Sequence, residues 1–174
     1  MQRISRRNAW FFFAAVVFSD GTFEGELDSV ARLLGIEWGR TVLYERALPL
    51  WKDSTDRTSA DHREVLAELR SRLWGLATDP DPRILALFLS RYPDFDPHES
   101  TGSETRGTVR ALRTFQESLT GQLRATRDRL VQTVDEYARH PEVELSEWLS
   151  GQYEEYVQFL RNVDPALSSS LTRP

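Results

Sequence analysis

The segment ETRGTVRALRTFQESLTGQLRATRDRLVQTVDEYARH, Glu104 to His140, decides how this chain folds. Val109, Leu112, Leu119, Leu123, Leu130, Val134 and Tyr137 recur along it at steps of three, four and seven. That is the period of one helical face. Gln116 and Thr126 fall on the same seam and make it more polar. Unbroken, such a helix would run about 50 Å at about 1.5 Å per residue. Gly121 sits in its middle, where a residue without a Cβ weakens a helix and permits a bend. Pro141 closes it.

The same period continues on both sides. Toward the C-terminus, Leu145, Trp148, Leu149, Tyr156, Phe159, Leu160 and Val163 predict a helix over about 142–163. The two segments form a long helical hairpin over 104–163, followed by a flexible tail at 165–174. Toward the N-terminus, YPDFDPHESTGSE is a loop rich in Pro, Asp and Ser. Before it, Asp81 and Pro82 read as cap and first-turn residues of a helix ending near Arg91. Val65, Leu66, Leu69, Leu73 and Leu76 mark a helix that begins near Ser59. A helix over 37–48 stops at Pro49, and one over 23–34 stops at Gly35. The first helix runs over about 5–19. No segment alternates apolar and polar residues in the manner of a strand. The expectation is an all-α fold: about seven helices in a single bundle, one domain over 1–164. It has an N-terminal five-helix part (1–91) and the C-terminal hairpin (104–163).

Composition bounds the rest. Of 174 residues, 40% are hydrophobic and 28% charged, which is globular rather than disordered composition. Five Trp and nine Phe supply large surfaces for a core. The absence of cysteine excludes disulfides, thiolate metal sites and a cysteine nucleophile. A net charge of −5 argues against nucleic acid as a partner. Lys52 is the sole lysine beside many arginines, but these are spread along the chain rather than clustered.

The N-terminus, MQRISRRNAWFFFAAVVFSDG, has a basic start and a ten-residue apolar run, Ala9 to Phe18. That is the grammar of a signal peptide. As helix, ten residues span about 15 Å, half a bilayer core. Its bulk of Trp and Phe favours a buried first helix and a cytoplasmic protein. The alternative is export, or peripheral membrane association through residues 1–19.

AAVVFSDGTFEGELDSVARLLGI, Ala14 to Ile36, places Asp20, Glu24 and Glu26 close together. An EF-hand loop needs a Glu at its twelfth position; counted from Asp20, that position is Ala31. As a connector between two helices, the stretch reads as Gly21 in the turn, Thr22 as cap and carboxylates in the first turn of the next helix. Ala14, Ala15, Asp20, Gly21, Glu26, Leu34 and Gly35 resemble the pattern of TerB-like tellurite-resistance domains, over residues 9–36. That family is all-helical and associated with stress response. The resemblance implies Asp20 and Glu26 as ligands of a divalent cation, with no other cofactor expected.

Other constellations are sparse. His62, His98 and His140 show no metal-ligand spacing. Arg57 and His62 match the R-x4-H spacing of HEPN-type helical ribonucleases, which makes an RNase an alternative reading. Asp94, Asp96, His98 and Glu99 share one loop, where turn chemistry accounts for them. Arg106, Arg110, Arg113 and Arg124 lie roughly opposite the apolar stripe of the long helix, where Glu117 and Asp128 can pair with Arg113 and Arg124. Trp148, Tyr156 and Phe159 are core or partner-facing, while Tyr153 falls off the main stripe. The expected function is a non-enzymatic protein–protein interaction or assembly module. It would bind a protein partner or a second copy through the hairpin, with Arg106, Arg110, Arg113, Arg124 and Tyr153 at the interface.

Overall fold

The segment quoted first forms one helix. In the computed structural model, which describes residues 15–18, 22–57, 61–98 and 104–162, it runs unbroken from Glu104 to Arg139. The order of elements is β1 (Ala15–Val17), β2 (Phe23–Gly25), α1 (Leu27–Thr55), α2 (His62–Trp74), α3 (Pro82–Arg91), a 3-10 turn (Pro93–Phe95), α4 (Glu104–Arg139) and α5 (Leu145–Asn162). The protein is mostly helical, as expected. The count differs: among the described residues there are five helices and a small hairpin, not seven helices.

The expected helices over 23–34 and 37–48 merge, from Leu27 onward, into one helix of 29 residues, while Phe23–Gly25 is strand. Gly35 does not stop it. Gly35 and Gly39 face α4, and a Cβ on Gly35 would lie 2.7 Å from the Phe115 carbonyl oxygen and 2.8 Å from Ser118 Cβ. At Gly39 it would lie 2.8 Å from Gln122 Cβ and 2.9 Å from the Leu119 oxygen. The glycines let two helix backbones approach, and the helix continues through them. Pro49 does not stop it either. An interior proline costs about 3 kcal/mol. Continuing the helix buries Trp51 completely. Burying a ring of about 150–250 Å² at about 25 cal/mol per Å² contributes about 4–6 kcal/mol. Pro49 itself is exposed, where its missing N–H is tolerated. Downstream, Ser54 and Thr55 hydroxyls donate to the carbonyls of Leu50 and Trp51, at 2.9 and 3.0 Å.

The expected first helix is also corrected where it is described. Ala15–Val17 is a strand, antiparallel to Phe23–Gly25, with Ala15 opposite Gly25, Val16 opposite Glu24 and Val17 opposite Phe23. Residues 1–14 and 19–21 lie outside the described residues, as does the expected tail at 165–174. Thr22 precedes β2 and does not cap a helix; Glu24 is on a strand, and Glu26 stands just before α1. Gly25 takes φ 120°, a conformation that side chains disfavour, at the change from strand to helix. Ala15, Val17 and Phe23 pack on the core, while Val16 and Phe18 are exposed.

α1 is the central element. α4 packs along it, α5 packs on its other side, and α2 rests on α4. Although α4 and α5 are joined as the expected hairpin, α5 leans mainly on α1. The two meet where Tyr137 stacks on Trp148, at 4.2 Å between ring centroids. The Tyr137 hydroxyl also donates to the Val143 carbonyl at 2.8 Å. Buried side chains from all five helices join one cluster. Near the hairpin it is aromatic: Trp38 packs edge-on against Phe88 and Phe115, which stack at 3.7 Å. The caps follow the sequence reading at α3, where Asp81 accepts from the Arg83 N–H at 2.8 Å and Pro82 starts the helix. Asp61 does the same for α2 through Arg63 N–H at 2.9 Å.

Candidate interaction surface

An unfilled concavity bordered by α1 has no lining residue from α4. It is a groove of about 490 Å³ lined by Val17 of β1, Leu33, Ile36, Glu37 and Arg40 of α1, and Phe159 and Asn162 of α5. Its volume is that of a site for a small ligand or a few side chains. Each wall follows from local structure. Val17 points inward because strand residues alternate, and its neighbours Val16 and Phe18 point out. Leu33, Ile36 and Arg40 recur at three and four residues, a second stripe beside the buried one of Val30, Leu34 and Trp38. Leu33 is 45% exposed, so this stripe presents apolar surface to solvent.

Phe159 is a braced wall. Tyr44 meets it edge-on at 4.9 Å, and the Arg40 guanidinium lies 5.7 Å from its ring centroid. Tyr156 packs against Tyr44 with the rings tilted, 4.8 Å between centroids, and donates its hydroxyl to Gln152 Oε1 at 2.8 Å. Burial pushes the Tyr156 hydroxyl well above the usual tyrosine range, helped by Tyr44 and Glu155 and opposed by Arg129. Burial also raises Tyr44, against the pull of Arg40 and Arg129.

The residues singled out from the sequence are scattered. Asp20 lies outside the described residues. Glu26 is exposed, its side chain makes no cap hydrogen bond, and its carbonyl accepts from the N–H groups of Ser29 and Val30 at 2.9 and 3.0 Å. Among the described residues no three His, Cys, Asp or Glu side chains converge as a metal site. Arg57 donates to Glu68 at 2.5 Å, and His62 is exposed at the start of α2. Asp96 accepts from the His98 N–H at 2.9 Å, which is turn chemistry. Glu99 and Ser103 lie outside the described residues.

Arg106, Arg113 and Arg124 are exposed on α4. Arg110 reaches back to Asp28 of α1 at 3.4 Å, and the same carboxylate accepts from the Thr114 hydroxyl at 2.6 Å. Asp128 pairs with Arg127 at 2.8 Å, and that guanidinium covers the exposed ring of Trp74 at 4.4 Å. Tyr153 is partly buried against the core. None of these five partner-binding candidates lines the groove. The groove residues Leu33, Ile36 and Arg40 are not among the candidates that the sequence suggests. A signal for them is nevertheless present, because an apolar residue off the main stripe that repeats at helical spacing marks a second apolar face.

No helix among the described residues is long and apolar enough to cross a membrane. No protein-family model, curated protein or solved structure matches this chain.

Proposed function

We propose that this chain is a helical protein–protein interaction module that receives an apolar segment in the groove between β1, α1 and α5. The observation that carries the reading is the groove itself. Val17, Leu33, Ile36 and Phe159 offer apolar contact, and Glu37 and Arg40 at the rim offer both signs of charge. An apolar centre with a polar rim is the anatomy of a recognition surface. The aromatic wall is held in place by Tyr44 and Tyr156, so its ordering cost is met before a partner arrives.

Arg40 takes the part expected of the α4 arginines, a cation beside apolar surface. Arg106, Arg113 and Arg124 stand on α4 as a solvated ridge.

Leu33→Arg tests the reading. Leu33 is already half in solvent, so the substitution should leave the melting temperature within about 2 °C of the parent. It should abolish any association, self or with a partner, that uses the groove. Light scattering and affinity purification of the parent and the variant side by side give the answer. A parent that is a strict monomer, with the same co-purifying proteins as Leu33→Arg, would end this reading.

A further inference from the structure

We infer that the occupant of the groove is an amphipathic helix of a partner protein. It sets an acidic side chain against Arg40 and a basic one, about one turn away, against Glu37. This rests on reading the groove as a docking surface, and it names what docks. Ile36, Glu37 and Arg40 follow Leu33 by three, four and seven residues, so the four share one face of α1 over about two turns. That face is about 10 Å long at about 1.5 Å per residue. On the neighbouring stripe Val30, Leu34 and Trp38 are buried in the core, whereas Leu33, Glu37 and Arg40 are exposed.

A stripe of this period is matched by another helix, whose side chains three and four apart seat between its own. A strand turns alternate residues toward a surface and does not follow that spacing. Val17 of β1 and Phe159 of α5 add apolar lining, and about 490 Å³ has room for a few side chains of such a helix.

The charges select the occupant further. Arg57, Arg70, Arg72, Arg110 and Arg127 each reach a carboxylate of this chain. Arg40 has no such partner among the described residues, and its guanidinium lies 5.7 Å from the Phe159 ring centroid, which positions the cation at the groove. A guanidinium resting on a ring keeps its N–H donors for a carboxylate. Glu37 likewise has no ion-pair partner among the described residues. The two are of opposite sign, so a facing helix complements both with an acid and a base three or four residues apart. A uniformly acidic or uniformly basic segment would meet one of them with like charge.

A library of helix-forming peptides with one face randomised, displayed on phage and selected on the parent protein, tests this. Peptides that the parent retains and Leu33→Arg does not are the groove-dependent ones. They should carry an acidic and a basic residue three or four apart, beside apolar residues. Their affinity, read by fluorescence anisotropy, should fall on the order of tenfold on the double variant Glu37→Arg/Arg40→Glu. Exchanging the acid and the base within the peptide should restore binding to that variant, which a loss of folding would not permit.

Groove-dependent peptides with no charge preference, or with no reversal on the double variant, overturn the inference and leave the interaction reading intact. So do groove-dependent peptides that tolerate proline within the contacting stretch, because they bind extended. Self-association of the parent that Leu33→Arg abolishes makes the occupant a second copy. Binding to phosphatidylglycerol vesicles that Leu33→Arg abolishes makes it a lipid surface. Either result overturns the inference. A selection without groove-dependent peptides overturns it too, and the interaction reading then rests on the association test of Leu33→Arg alone.

Discussion

α1 packs against two helices by opposite means. Against α4 it closes on small residues: Gly35 and Gly39 bring backbone to backbone, and no space remains for a methyl group. Against α5 it closes on rings: Trp51 meets Trp148 and Tyr156, each at 5.5 Å, and Tyr44 meets Tyr156 and Phe159. The first seam cannot accept added atoms, and the second cannot lose them. A seam closed by backbones leaves no concavity. A seam closed by rings leaves one where the rings run out, and the groove lies at the Phe159 end of this one. The groove is therefore a consequence of how α5 is attached.

The largest effect should come from the ring seam. Trp51→Ala should cost about 3–5 kcal/mol in urea unfolding followed by circular dichroism. Trp51→Phe should cost less than half of that, because the indole N–H has no hydrogen-bond partner among the described residues and nothing polar is lost. Equal costs would mean that the indole N–H does matter to this seam. Next is the glycine seam. Gly35→Ala should cost about 1–3 kcal/mol by overpacking. Adding Ser118→Gly should recover only part of it, because the Phe115 carbonyl still lies 2.7 Å from the new methyl. Full recovery would show that the side chain, and not the backbone, sets the distance between α1 and α4.

The ring seam also has a pH signature that the glycine seam lacks. Burial holds the Tyr156 and Tyr44 hydroxyls protonated in the fold above the usual tyrosine value of about 10. Above that pH the unfolded chain loses these protons first, so the folded state binds more protons and stability falls as pH rises. The slope should reach up to about 1.4 kcal/mol per pH unit for each tyrosine. In Tyr156→Phe the decline between pH 10 and 11.5 should be shallower, measured by denaturant midpoints across the range. An unchanged slope would assign the alkaline loss to another group.

The same contrast explains what is legible in the sequence. α3 and α4 are legible because their determinants are local: Asp81 and Pro82 at one start, Pro141 just beyond one end, and a sustained period between. The stripe of α4 read from the sequence is slightly out of phase. Val109 is 45% exposed, whereas Ala111 and Phe115 are buried, because α1 and the Phe88 ring select the face. Gly35 misleads for a deeper reason. A glycine that ends a helix and a glycine that admits a neighbouring backbone look alike in sequence, and the atoms that decide belong to residues 115 and 118. Pro49 is overruled by Trp51, whose partners Trp148 and Tyr156 are equally distant. In the hairpin, strands of three residues are too short to show alternation. Of the candidate sites, exposure of Arg106, Arg113 and Arg124 is readable from the helical face. The Arg110–Asp28 pair, 82 residues apart, is not.

The smallest effect tests whether glycine matters by type or by place. Gly121 lies mid-way along α4, exposed, and a methyl group added there would meet nothing within 4 Å. It does not bend the helix into two, and no neighbour requires its small size. There the residue contributes only its conformational freedom in the unfolded chain, which weakens a helix interior by about 0.5–1 kcal/mol relative to alanine. Gly121→Ala should therefore stabilise the protein by about that amount and raise the melting temperature by about 1–4 °C. Gly35→Ala, the same chemical change on the facing helix, should do the reverse. If Gly121→Ala also destabilises, α4 touches something at that point, and its exposed face is an interface rather than a solvated one.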